Sequence, residues 1–390
     1  MSTLATRRPS RASVPDRVRD SLGRIDWVLV LVVAGISAFG LFTIRSGTRS
    51  DVPGDPDYFF SRQLLLMLIG VGGLVVGMRI SLERAVRWTW FLWGALCLIL
   101  FAVFVIGTGA RGSTRWIDIG PFRLQPSELG KLVIIVVLAG LVVERVGQVG
   151  KPRFSLLCAG VVAVPIVIVF AQPDLGTALV YLVVLAAVLF LAGTPWTHFA
   201  AGAAVIVVAV GAVLWVLPSF GVEILKPYQV DRLTAFTGSS TDPGDSGYQL
   251  EQSKTAIGSG GATGKGPDGA TQTINDFLPE HQTDFIFAVV AEMFGFLGAG
   301  GLILAYGLLL WRALRITARA STQLDQLVAG AIVAMLAFEV FVNIGMTVGI
   351  MPITGIPLPF MSYGGSHTLT NLIAVGLLLR INQRGAPSYA

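Results

Sequence analysis

Within DFLPEHQTDFIFAVVAEMFG (276–295), the carboxylates Glu280, Asp284 and Glu292 mark the passage from the longest polar stretch of the chain into one of its most apolar runs. A charge carried into hydrocarbon costs about 2.5–3.5 kcal/mol on insertion scales, so an acid at such a boundary is a candidate for function. The chemistry it offers is removal of a proton from an attacking hydroxyl. Asp284 is the leading candidate for that base. A helix cap or first-turn carboxylate explains its position more simply and would keep it a weak base, whereas burial and the neighbouring charge of Glu280 would strengthen it. Glu292 lies about 12 Å further along a continuous helix at 1.5 Å per residue, and is expected to be a buried hydrogen-bonding partner.

Other stretches carry polar groups at chemically useful spacing. Glu128 and Lys131 stand i, i+3 after Pro126, on one helix face, where they can neutralise each other or offer Lys131 to an anionic substrate. QPDLGT (172–177) places Asp174 at a helix start, as a cap or a polar contact. GSGGATGKG (258–266) is not a nucleotide loop, since Ser259 stands where its first Gly should be and Gly266 where Ser or Thr should follow Lys265. Its backbone N–H groups and Lys265 could still cradle a diphosphate. PLPFMSYGGS (357–366) reads as a tight irregular turn, which at membrane depth must be buried in protein or line a cavity; Ser362, Tyr363 and the following His367 would face it.

The elements that position these groups are membrane helices. The chain has 390 residues, 54% hydrophobic and 13% charged, with a mean hydropathy of +0.73. Apolar runs near 27–44, 63–79, 85–107, 127–144, 154–171, 175–193, 197–218, 284–311, 326–350 and 365–381 predict an all-α polytopic membrane protein of ten transmembrane helices. The net charge of +5 is spread over short clusters between the runs, which excludes a nucleic-acid groove. Cys97 and Cys158 fall inside apolar runs and have no metal-ligand spacing.

Arginines before the first run, then Arg79, Arg84 and Arg87, Arg145 and Arg153, Arg312 to Arg319, and Arg380 and Arg384 collect on one side. By the positive-inside rule both termini are cytoplasmic. A basic tail (1–26) then precedes a membrane domain (27–381) and a short tail (382–390), with a long extracytoplasmic loop (219–283) between spans seven and eight. VEILKPYQVDRLTAF (222–236), with Lys226 and Arg232 beside apolar residues, reads as an interfacial helix. Four polar motifs, the stretch ending in QPSELGK (112–131), QPDLGT (172–177), the long loop with TDF (219–285) and PLPFMSYGGS (357–366), then share the outer face, where no nucleoside triphosphate is available, so a bond-forming reaction needs a substrate that arrives already activated.

Six stretches in order, GSTRWIDIGPFRLQPSELGK, QPDLGTAL, LKPYQVDRL, GYQLEQSKTAIGSGGATGKG, LPEHQTDFIFAV and PLPFMSYGGS, resemble the SEDS family of bacterial cell-wall proteins. LKPYQ, AIGSGG and GATQT favour its elongation branch over its division branch. The resemblance implies a peptidoglycan glycosyltransferase that polymerises lipid II at the outer face of the cytoplasmic membrane, working with a class B penicillin-binding protein. It carries the family's catalytic acid to Asp284, its QPSE glutamate and following lysine to Glu128 and Lys131, and its QPD aspartate to Asp174. Three positions depart from the family pattern: Gln282 before TDF, with His281 one place early; Met293 after Glu292; and His367 after SYGGS.

Asp284 is expected to deprotonate the acceptor hydroxyl as it attacks a lipid-diphosphate donor. Arg115, Lys131, Lys254 and Lys265 are the candidates to meet the departing diphosphate, and a divalent cation, Mg or Mn, is the cofactor such chemistry would call on. Two rival readings remain open: a flippase for lipid-linked precursor, which intramembrane Glu128 and Lys131 would suit, and a scaffold that only activates a penicillin-binding protein.

Overall fold

Hydrocarbon leaves the backbone no water to bond, so long apolar runs must close their hydrogen bonds internally as helices. The computed structural model describes residues 24–110, 113–119, 122–216, 219–220, 246–275 and 277–385. Its helices are α1 (Trp27–Gly47), α2 (Tyr58–Arg79), the short α3 (Leu82–Arg87), α4 (Thr89–Ile106), α5 (Pro126–Glu144), α6 (Pro152–Ala171), α7 (Leu175–Leu191), α8 (Trp196–Gly211), α9 (Ser246–Ser259), α10 (Thr271–Ile274), α11 (Ile286–Ala318), α12 (Gln323–Val348) and α13 (Gly365–Gly385). Seven of these, α1, α2, α4, α5, α6, α11 and α12, are long and apolar enough to cross a membrane, while α7 and α8 are shorter apolar helices.

Several expectations need correction. The chain is not all helix: Thr108–Ala110, Ser113–Ile119 and Phe122–Leu124 form a three-stranded antiparallel sheet, β1-β2-β3, between α4 and α5. Its register pairs Ile117 with Leu124 and Asp118 with Arg123, as suits a polar segment with alternating β-branched residues. The expected span 85–107 is divided at Trp88, whose φ/ψ of −105°/20° ends α3 and begins α4. The long segment 219–283 is not simply a loop, because α9 lies against α11 and α12 with Leu250 and Ala256 buried and Ser253 Oγ donating to the Thr347 carbonyl at 2.8 Å. Lys226 and Arg232 with the expected interfacial helix, and the terminal residues 1–23 and 386–390, lie outside the described residues.

The greatest departure is in α11, which the sequence presents as one span beginning at Asp284. It starts at Ile286, after Phe285 as N-cap, and is broken at Gly295, whose φ/ψ of 64°/−162° is non-helical. A half-helix of about nine residues is about 13 Å long and cannot cross hydrocarbon; here it is enclosed by protein, with Ile286 to Met293 all buried.

The innermost helices are α5, α7, α12 and α13, which carry most of the buried side chains of the main core. α13 lies so close along α2 that a Cβ on Gly77 would stand 2.5 Å from the Ile373 carbonyl, a small-residue contact typical of membrane helices. Apolar residues such as Leu31, Phe91, Leu98, Leu156 and Leu304 point outward, as lipid-facing surfaces require. At one end Arg312 grips Asp26 at 2.6 Å and Arg384 pairs with Glu83 and Asp325. At the other end the four polar motifs meet.

Candidate functional site

The TDF turn is held by its main chain. Glu280 takes a positive φ of 55°, a conformation costly for a residue with a side chain and found where the surroundings enforce it. Its carbonyl accepts from the Thr283 and Asp284 amides at 3.1 Å each, and its carboxylate accepts from Thr283 Oγ1 at 3.0 Å. The neighbouring PLPFMSYGGS turn, with Phe360 at φ 66°, binds the same strand. Ser362 Oγ donates to the Thr283 carbonyl at 2.6 Å and the Tyr363 amide to the Gln282 carbonyl at 2.9 Å. Asp284 itself is half-buried and precedes the N-cap of α11. The expected helix cap therefore falls to Phe285, and Asp284 stands one residue outside it.

QPD and QPSE form one unit. Asp174 caps α7 through the Thr177 amide at 3.2 Å, and its carboxylate also accepts from Thr177 Oγ1, Gln125 Nε2 and Ser127 Oγ at 2.9, 2.8 and 3.3 Å. Arg115 donates to the carbonyls of Gln172 and Pro173 and stands 4.0 Å from Asp174. That arginine, expected as a diphosphate contact, is thus bound to the turn it supports. Ser366 links this unit to the SYGG turn, accepting from the Gln125 amide at 2.7 Å and donating to the Arg123 carbonyl at 3.0 Å.

Below them lies a charge cluster. Lys131 Nζ is 2.8 Å from Glu128 and 2.7 Å from Glu339 of α12, with only 1% of the lysine exposed. His367 Nδ1 stands 3.5 Å from Glu128 Oε2, and Asn371 contacts the same imidazole. Lys131 is therefore enclosed by carboxylates. The substrate contact expected of it is not available in this arrangement.

The glycine-rich stretch has a structural use. Lys265 and Gly266 donate their amides to the Glu292 and Met293 carbonyls at 3.0 and 2.9 Å, while the Phe296 and Leu297 amides return to Gly261 and Ala262 at 2.9 and 3.1 Å. The loop so closes around the Gly295 break, and a Cβ on Gly264 would run into the Met293 carbonyl. The Lys265 and Gly266 amides are therefore engaged within the protein. Glu292 is fully buried and accepts from the Gln272 and Thr273 amides and Thr273 Oγ1 at 2.9, 3.1 and 2.8 Å, with Lys265 Nζ 3.6 Å away. It is the buried hydrogen-bonding partner expected of it, with its donors supplied by the polar segment.

Of the four cations expected to meet a diphosphate, Arg115, Lys131 and Lys265 have these internal partners, and Lys254 is exposed on α9 beside Gly349. Two arginines the sequence reading passed over act on Tyr363, whose amide binds the TDF turn. Arg62 lies over the Tyr58 ring at 4.1 Å and near the Tyr363 phenol, and Arg123, 3.4 Å from Asp118, is a second cation acting on Tyr363. Burial raises the Tyr363 phenol above its ordinary value against the pull of these guanidinium groups, so the hydroxyl stays a neutral donor. Phe59 stacks edge-on to Tyr363 at 5.2 Å. Among the described residues no three His, Cys, Asp or Glu side chains converge as a metal site.

Glu339 and Asn343 also escaped the sequence reading. Both are fully buried on α12, one turn apart. The signal was present: an ionisable residue inside an apolar run is a site hypothesis by default, and FEVFVNIG contains one.

Comparison with known proteins gives this geometry a lineage. A family model described as a cell cycle protein, covering FtsW, RodA and SpoVE, matches residues 25–386. Stage V sporulation protein E of Bacillus subtilis is 36% identical over 369 residues, covering 92% of this chain and 97% of that protein. The peptidoglycan glycosyltransferase MrdB of Escherichia coli K12 is 33% identical over 377 residues, 97% of both. A chain from a peptidoglycan synthase complex that coordinates polymerization and crosslinking superposes with a TM-score of 0.77 at 31% identity, covering 93% of this chain and 98% of that one. The rod shape determining protein RodA of Thermus thermophilus aligns at 0.65 with 27% identity over 93% and 98%.

Proposed function

We infer the function from one premise: this chain belongs to the FtsW, RodA and SpoVE family. It is a membrane protein and a peptidoglycan glycosyltransferase, the activity for which its FtsW and MrdB relatives are named. The finer reading is that it polymerises lipid II by inverting glycosyl transfer, with Asp284 as general base. The acceptor hydroxyl loses its proton to Asp284 as its oxygen attacks the anomeric carbon, and the lipid diphosphate departs with the electron pair of the broken bond. The activated donor removes the need for a nucleotide. Its leaving charge falls to Arg62 and Arg123 beside Tyr363, with Lys254 on the same side.

One observation carries the choice of Asp284. Asp174, Glu128 and Glu292 are buried, whereas Asp284 stands half-buried on a turn gripped by its main chain, where the motifs meet. Around it we place ten membrane crossings, both termini in the cytoplasm, the motif end outside the cytoplasmic membrane, a class B penicillin-binding protein as partner, and a part in cell elongation. A flippase would have to pass its cargo beside Lys131, which is closed in by protein.

The test is polymerisation of lipid II by purified Asp284→Asn together with its partner, with and without a metal chelator. Glycan synthesis should be lost by folded protein. Near-normal synthesis would sink the assignment, and movement of labelled lipid II across vesicles without polymer would favour transport.

A further inference from the structure

We propose that Asn343 is a positioning residue for the transfer reaction, fixing the direction in which the Asp284 carboxylate projects. The inference rests on Asp284 being the base. A side chain's direction is set by the two peptide planes that flank its Cα, and both planes at Asp284 are held from outside the turn. The plane before it is held at the Thr283 carbonyl by Ser362 Oγ at 2.6 Å. The plane after it is held at the Asp284 carbonyl by Asn343 Nδ2 at 2.9 Å. That second carbonyl precedes the helix N-cap, so the ladder of α11 does not use it: the Ala288 and Val289 amides turn to Phe285 instead.

The same Nδ2 gives its other proton to the Ile356 carbonyl, also at 2.9 Å. Ile356 packs on α7 at Gly176, where a Cβ would come 2.8 Å from the isoleucine side chain. One amide nitrogen thus binds α12, the TDF turn and the segment lying over the QPD helix. The requirement is specific: two donors must leave one atom in a fixed fork, which a carboxylate cannot supply and a hydroxyl can supply only by half. The cost is visible on the other side of the group, since Asn343 Oδ1 is buried without a hydrogen-bond donor among the described residues, a loss a purely structural asparagine would have reason to avoid.

The experiment uses the full chain with its partner and follows lipid II polymerisation in the steady state. Asn343→Ser should lower kcat about 10- to 100-fold, the scale of a misplaced reacting group, with KM for lipid II within about twofold of wild type. Asn343→Gln keeps the amide but displaces it by one methylene, and should lose kcat in the same way; it carries the test if the serine variant does not accumulate. In the Asp284→Glu background, where a carboxylate is kept but already displaced, Asn343→Gln should cost much less than it does in wild type, because the base is out of place before the amide is moved. A folded Asn343→Gln protein with wild-type kcat overturns the proposal, as does an equal further loss in the Asp284→Glu background. Failure of the base itself shows separately, as activity in Asp284→Asn alone.

Discussion

Lys131 on α5 and Glu339 on α12 meet at 2.7 Å inside the bundle, and Glu128 takes the same ammonium from the other side at 2.8 Å. One cation therefore serves two buried carboxylates. Removing it leaves both acids without their counter-charge, and breaking a buried pair from one side costs about 3–5 kcal/mol. Removing Glu339 instead leaves a neutral Lys131–Glu128 pair. Lys131→Met should therefore lower the thermal midpoint of the purified protein far more than Glu339→Gln. Equal losses would show that Lys131 and Glu339 do not share their charge.

The Gly295 break yields a second expectation. Gly264 has φ 83° and faces the Met293 carbonyl, while Gly261 has φ 55° with nothing within 4 Å of a would-be Cβ. Gly261→Ala meets backbone strain alone, about 1–2 kcal/mol for an L residue in that region. Gly264→Ala meets strain and a collision with backbone that cannot step aside. Thermal unfolding should rank Gly264→Ala well below Gly261→Ala, and protease should cut the segment around 260–270 more readily in the former.

These two cases mark how far the sequence was legible. The apolar helices largely were, because lipid compels apolar runs to become helices whatever their neighbours do, whereas the sheet after α4 and the helices α9 and α10 of the polar segment were not. The meeting of the four motifs followed from counting crossings. The break at Gly295 was not legible, since a glycine in an apolar run reads as a tolerated helix residue until the loop that grips it is seen. The partners of Arg115 were hidden for a related reason: a cation beside a conspicuous motif reads as a ligand for substrate, and only the fold shows it donating to the carbonyls of Gln172 and Pro173. Glu339 could have been found, being the one acid in its run.

The aromatic and cationic group around Tyr363 gives the third prediction. If Arg62 and Arg123 meet the diphosphate of the donor, neutralising either should weaken donor binding through charge, whereas a structural role would act through stability. Arg62→Gln and Arg123→Gln should raise KM for lipid II several-fold while the protein keeps its thermal midpoint, and the difference from wild type should shrink as salt is added, since exposed charges are screened beyond about 10 Å at 0.1 M. A KM unchanged at low salt would remove both arginines from the binding reading.

Tyr363 itself separates the two halves of the site. Its amide binds the Gln282 carbonyl at 2.9 Å, a bond no side-chain substitution removes, while its hydroxyl lies in the field of Arg62. Burial raises its pKa, so the phenol is protonated below its ordinary value and remains so somewhat above it. Tyr363→Phe should therefore leave the TDF turn in place and leave the shape of the pH–rate profile unchanged from neutral to pH 9. Its effect should appear as a higher KM that does not add to that of Arg62→Gln, because the two groups hold one another. Full additivity of the pair, measured as KM for lipid II in the double variant, would mean that Arg62 and Tyr363 reach the substrate independently.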